Sequence, residues 1–212
     1  MLQFNSSLLA LAAEFTGTYA PYQAIRVEPL PGGGIVVAST NKGHVAFVGH
    51  DPQGTGDEAR TLLPTAELIR AAKGIKTAER YITIDGATAQ VTTRRKTTSQ
   101  TSEFSIADAT SEFPPLAAVM QAAVDHWSVS PRLNETAGRY DASLLDKAIR
   151  AAAGAGASIV LSAFDGGPLR LQLEELDAVI LLMPQTAQPI PAVPQWLCRY
   201  ARPETQETQR VP

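Results

Sequence analysis

Residues 62–74 read Leu62-Leu63-Pro64-Thr65-Ala66-Glu67-Leu68-Ile69-Arg70-Ala71-Ala72-Lys73-Gly74. With Thr61 before them, Leu62 and Leu63 have the character of a strand, and Pro64 suits a first helical turn. Leu68, Ile69 and Ala72 recur at the spacing of one helix face, so residues 65–73 are expected to be a helix that Gly74 stops. Beyond it, Tyr81, Ile82 and Ile84 lead into Asp85-Gly86, a strong two-residue hairpin signal, and Ala89 and Val91 return. Thr97 to Ser102 reads as a polar turn before Phe104 and Ile106, and Phe113-Pro114-Pro115 ends the segment. The unit is strand, helix and three strands.

Eighty positions later the pattern returns. Ile149-Arg150-Ala151-Ala152 repeats Ile69-Arg70-Ala71-Ala72, Gly154 repeats Gly74, and Asp165-Gly166 repeats Asp85-Gly86, all at one offset. The identities fall on the helix face, the helix stop and the hairpin turn, where physics constrains the residue type, so they read as an internal repeat. On that reading Leu68 and Ile149 belong to the core, and truncating either to Ala should cost about 2–5 kcal/mol.

Outside the repeated pair, Leu8, Leu9, Leu11 and Ala12 make an apolar stripe on a short helix over 5–15, with Asn5, Ser6 or Ser7 as its cap. Ala24, Val27 and Leu30, a Pro31-Gly32-Gly33-Gly34 turn and Ile35 to Ala38 form a hairpin; Lys42-Gly43 turns into Val45, Phe47 and Val48; residues 51–57 read as loop. Leu116, Val119, Met120, Ala123, Val124 and Trp127 have helical spacing, with the Met and the Trp read as core. Leu169, Leu171 and Leu173 continue the third hairpin, and Ala178 to Met183 is a buried strand bounded by Pro184. Residues 186–212, rich in Pro, Gln, Thr and Arg, read as a mostly disordered tail with Trp196-Leu197 as its one anchor. The expected fold class is α+β, in repeated β-α-β-β-β units with antiparallel sheets and helices on one face: a complete domain over 1–115, a partial one over 116–185, then the tail.

The 212 residues carry 18 Lys+Arg against 21 Asp+Glu, a net charge of −3, and 44% are hydrophobic, enough for a core. No apolar stretch approaches the roughly 20 residues of a membrane helix, and Met1 to Phe15 lacks the basic start of a secretory signal, so the expectation is a cytoplasmic protein. A single cysteine, Cys198, excludes an intramolecular disulfide, and with three scattered histidines it builds no ordinary zinc cage. Catalytic patterns are also missing. There is no Gly-x-Ser-x-Gly elbow; His44, His50 and His126 lack metal-helix spacing; the glycines at 32–34 precede a strand rather than a helix N-terminus; and Asp57-Glu58 and Glu174-Glu175 diverge as neighbours on a strand. The expectation is a non-catalytic protein with no cofactor and no metal. Basic charge gathers at two places, Arg70, Lys73 and Lys76 on the helix and the run Arg94-Arg95-Lys96 between strands.

Several ordered pieces of the chain resemble the bacterial DNA sliding clamp, the beta subunit of DNA polymerase III. Tyr22 to Glu28 with Ala38-Ser39-Thr40-Asn41-Lys42-Gly43-His44-Val45-Ala46 looks like the family's second-domain hairpin, and Leu63-Pro64 with its helix looks like the family's Val-Pro helix start. Phe104 with Glu112-Phe113-Pro114 looks like its Phe-Pro domain end, and Tyr140 to Ile149 with Val179-Ile180-Leu181-Leu182-Met183-Pro184 is similar to its last helix and closing strand.

The resemblance implies a processivity factor that tethers replication or repair proteins to duplex DNA. Helices 65–73 and 142–153 would face the pore, offering Arg70, Lys73, Lys147 and Arg150 to phosphates without sequence preference. It also implies an apolar groove at Tyr22, Pro114, Val119, Leu181 and Met183 for clamp-binding peptides of a polymerase or other partner. The family has three domains of two units each, so a ring built from this chain requires a homo-oligomer with more subunits than the family's dimer, or a different interface. The helices at 5–15 and 116–127 carry no basic residue, which fits an alternative: a clamp-derived peptide-binding module that does not encircle DNA.

Overall fold

The computed structural model describes residues 1–73, 78–116, 120–121, 124, 136–162, 167–189, 192 and 194. Gly74, Lys76, Val119, Ala123, Trp127, the Asp165-Gly166 turn, Trp196-Leu197 and Cys198 therefore lie outside the described residues.

Among the described residues, three β-α-β-β-β units follow one another. The first is β1 (Leu2–Asn5), α1 (Ser6–Glu14), β2 (Ile25–Pro29), β3 (Ile35–Asn41) and β4 (Val45–Asp51). After a two-residue strand, β5 (Thr55–Gly56), the second is β6 (Arg60–Leu63), α2 (Ala66–Ala72), β7 (Glu79–Asp85), β8 (Thr88–Arg94) and β9 (Ser99–Ser105), followed by the short β10 (Ala107–Asp108). The third is β11 (Thr136–Arg139), α3 (Ala142–Ala155), β12 (Ile159–Ser162), β13 (Leu169–Leu173) and β14 (Ala178–Leu182), with β15 (Thr186–Pro189) beyond it. The architecture is α+β, as the residue pattern predicts.

All strand pairs among the described residues are antiparallel. One sheet runs β5-β1-β7-β8-β9 and a second runs β10-β6-β2-β3-β4-β14-β13-β12, while β11 pairs with β15. The β4–β14 pairing, with Phe47 opposite Ile180 and Ala46 opposite Leu181, joins the first unit to the third across the 115/116 boundary.

Helices α1, α2 and α3 lie side by side, with α1 between the other two. That position explains the burial of α1 nearly all round: Leu8, Leu9, Leu11 and Ala12 pack into a core with Phe47, Ile82, Ile84, Leu171 and Ile180, and the Phe15 and Phe47 rings stack at 5.9 Å. The small side chains of α1 admit close neighbours. The Ser6 hydroxyl donates to the Ala72 carbonyl (2.9 Å), and Ser39 of β3 donates to the Ala12 carbonyl (2.6 Å), so helix–helix and helix–sheet contacts are both satisfied.

The repeat holds with a displacement. Thr65 caps α2 by accepting from the Leu68 N–H, and Asp141 caps α3 by accepting from Ser143 and Leu144. These caps stand four residues closer in sequence than the eighty-residue offset, so α3 carries one extra N-terminal turn. One turn leaves the buried face in place: Leu68 and Ala72 on α2 correspond to Ala148 and Ala152 on α3, all four fully buried.

That register corrects several expectations. Ile149 is 43% exposed and Ile69 only half-buried, because each stands about 100° round the helix from the buried column. Gly154 does not end α3; the helix runs past it to Gly156, whose left-handed φ of 75° lets its N–H close back on Ala152 and Ala153. Pro64 precedes the cap instead of occupying the first turn. Residues 51–57 contain β5, paired with β1, and Ser99 to Ser102 belong to β9, so the polar turn is confined to residues 95–98. Val124 is exposed rather than core, while Met120 does pack inward. Thr186–Pro189, which the sequence assigns to the tail, form β15 because β11 offers an edge to pair with.

Candidate nucleic-acid and peptide interfaces

The structure brings together three of the four cations expected to meet DNA. Lys73 at the end of α2 and Lys147 and Arg150 on α3 line a hollow of about 400 Å³ between α1 and α3, floored by Ser7, Ala10, Leu11, Ala151, Gly154 and Ala155. Arg70, also exposed, stands one turn back on α2 outside this hollow. Two carboxylates, Glu14 and Asp146, line the same hollow and offset part of the charge. Asp146, one turn before Arg150, pairs with it (Nε to Oδ1, 2.9 Å), which lowers the Asp146 pKa and raises that of Arg150. Glu14 on α1 lies 3.8 Å from the Lys73 ammonium. Among the described residues, Arg70 and Lys147 have no ion-pair partner. The Asp146 pairing was visible as an i, i+4 spacing, whereas the Glu14 pairing arises only from folding.

The residues expected at the peptide groove divide differently. Leu181 is 1% exposed, because Leu116 and Met120 cover it together with Ala46 and Val179 on the sheet face opposite the helices. Met183 is 36% exposed, and its N–H donates to the His44 carbonyl (3.0 Å) at the β3–β4 turn. Tyr22, on a 3-10 turn over Ala20–Tyr22, reaches the same corner, since Gly17 sits against both the Tyr22 side chain and Asn41. Pro114 is half-buried, and Val119 lies outside the described residues. Two rim groups were missed by sequence reading: exposed Tyr19, and Lys42, whose ammonium stands 5.3 Å from the Tyr19 ring centroid. Lys42 adopts a φ of 48° that its turn imposes, and no sequence signal marks the pair.

Carboxylates hold the third unit's local geometry. Asp141 accepts from the Ser143 hydroxyl and from two backbone N–H groups, and Glu175 accepts from the Ser158 hydroxyl and N–H; both are held below the ordinary carboxylate range for that reason. Burial raises the Tyr140 pKa, and its hydroxyl donates to the Gly167 carbonyl (3.1 Å). The described residues contain no cluster of three or more His, Cys, Asp or Glu suited to a metal, and no described helix is long and apolar enough to cross a membrane.

No protein-family model matches the chain, and no curated protein sequence does. Solved structures do resemble it. The complex of the C-terminal region of FEN-1 with A. fulgidus PCNA is 12% identical, with 91% of this chain and 100% of that chain covered and a TM-score of 0.53. DNA polymerase III subunit beta from Borrelia burgdorferi, in complex with a natural product, is 9% identical over 88% of this chain and 63% of that chain (TM-score 0.54). The DNA polymerase sliding clamp from Pseudomonas aeruginosa, with ligand, is 11% identical over 87% and 65% (TM-score 0.53). This chain thus spans just under two thirds of the two bacterial clamp chains. The resemblance read from the sequence stands at the level of fold and extends to PCNA as well as to the bacterial beta subunit: the chain has a DNA-sliding-clamp-like fold.

Proposed function

We propose that this protein is a sliding-clamp-like processivity factor that tethers replication or repair proteins to duplex DNA. The observation that carries the reading is the side-by-side packing of α1, α2 and α3 against the two sheets, with Arg70, Lys73, Lys147 and Arg150 exposed on the outer two helices. Cations on flexible stems held by rigid helices suit loose, sequence-independent phosphate contact, since each one neutralised releases counterions without reading a base. Self-association into a ring is supported by sheet edges that no described strand covers. The five-stranded sheet ends on β9 and the eight-stranded sheet on β12, whose Val160 and Leu161 are 45% and 57% exposed. Partner peptides would dock at the Tyr22–Met183 corner, with Pro114, Val119 and Leu181 as the further groove positions.

Light scattering over a range of concentrations tests the assembly. A stable closed oligomer, such as three or four subunits, agrees with the proposal; a monomer throughout contradicts it. A monomer would favour the alternative, a peptide-binding module that does not encircle DNA, for which the pairing of Arg150 with Asp146 and of Lys73 with Glu14 already speaks. Salt-sensitive retention on closed circular duplex separates the two readings: the clamp shows it and the module does not.

A further inference from the structure

We propose that the end of β8 and the turn after it, Arg94-Arg95-Lys96, are a second phosphate-binding element, continuing the track of the interhelical hollow along the backbone of duplex DNA; the proposal rests on the clamp reading above. The three cations are consecutive and exposed, and the Arg95 N–H donates to the Thr98 carbonyl (2.8 Å), so their side chains spread from a short closed turn. Among the described residues none of the three is held in an ion pair.

Two observations place this turn beside the helical cations. Arg94 stands opposite Glu79 in the β7–β8 register, next to Arg80. Arg80 donates through Nη1 to the Ala71 and Lys73 carbonyls (2.9 and 2.6 Å) and through Nε to the Thr93 hydroxyl (2.9 Å), so the end of α2 is pinned to the strands that lead into the turn. Arg80 and Arg94 also line a second hollow of about 730 Å³, which shares Ser7, Gly154 and Ala155 with the one holding Lys73, Lys147 and Arg150. The two hollows therefore meet over small side chains that leave room for a chain of phosphates.

The acidic groups in the second hollow are Asp51 and Glu79. The Asp51 carboxylate is already engaged by the Asn5 and Gln53 N–H groups (2.7 and 3.0 Å). Arg95 and Lys96, exposed on the turn directly after Arg94, add two positive charges next to this hollow, as a backbone track requires.

The test is the salt dependence of binding to a short duplex, comparing the unaltered protein with an Arg94→Ala/Arg95→Ala/Lys96→Ala variant and with Arg70→Ala/Lys147→Ala. The triple variant should make the slope of log K against log salt shallower by about two to three, at about 0.9 for each phosphate that is no longer neutralised. Its thermal melt should be unchanged, and Arg95→Glu/Lys96→Glu, which leaves β8 intact, should weaken binding further. A turn variant with the unaltered slope, beside a helix variant with a shallower one, would overturn the proposal and leave the clamp reading standing. An unaltered protein with no salt-dependent duplex binding would overturn both.

Discussion

Leu68 on α2 and Ala148 on α3 occupy the same place in successive units: each is fully buried beneath its helix, and they stand at the eighty-residue offset of the repeat. The pair differs in volume, while one turn on both helices bury an alanine, Ala72 and Ala152.

Truncating Leu68 to Ala should therefore cost about 2–5 kcal/mol, and enlarging Ala148 to Leu about 1–3 kcal/mol through overpacking. Ile149→Ala, at an exposed position, should stay within about 1 kcal/mol. Urea denaturation of the three variants reads the ranking, and an Ile149→Ala loss as large as that of Leu68→Ala would refute the register.

Gly34 has a φ of 85°, and a Cβ there would lie 2.5 Å from His50 Nε2 and 2.7 Å from the Asp51 carbonyl. Both the left-handed backbone and the steric clash oppose any side chain, so Gly34→Ala should lower stability by about 1–3 kcal/mol. Gly33→Ala, also at positive φ but in open space, should cost less. Thermal melts of the two give the comparison.

Asp141, Asp146 and Glu175 all have folded-state pKa values below their ordinary ones, through Ser143, Arg150 and Ser158 respectively. A lowered folded pKa gives stabilisation that is complete above the unfolded-state pKa and lost as pH falls through the folded one. Amide protection in α3 and β12 should thus decline on acidification below about pH 4, before that of α1. Asp141→Asn, which keeps a capping side chain without the titration, should flatten the α3 decline; an unchanged profile would speak against the cap as its source.

Replacing Asp146 with Asn removes the carboxylate that holds Arg150. Duplex affinity should rise, with a steeper salt slope by at most about one unit, since one cation is released for phosphate. Fluorescence anisotropy against salt measures it, and a fall in affinity would place Arg150 outside the DNA-facing surface.

Much of the fold was legible where local chemistry acts alone. Thr65, Leu68 and Ala72 announced α2, and Asp85-Gly86 announced the β7–β8 turn, at which Gly86 takes a φ of 52°. What escaped depends on distant partners. Leu2-Gln3-Phe4-Asn5 is too short and too close to the apolar run of α1 to be read as a strand, and its identity comes from pairing with β7. Gly154 and Gly156 are equally good stops in an alanine-rich run, and only the folded chain shows that Gly156 takes the left-handed cap. The cations of the candidate site were legible by residue type, but the approach of Glu14 to Lys73 is produced by the crossing of α1 and α2.

The most direct measurement is duplex binding across salt concentration by the unaltered protein and by a variant with Arg70, Lys73, Lys147 and Arg150 all changed to Glu. A clamp that holds DNA through these helices predicts affinity that falls linearly in log salt for the first and is lost in the second, with both folded. Equal affinity, or none in either, would contradict it.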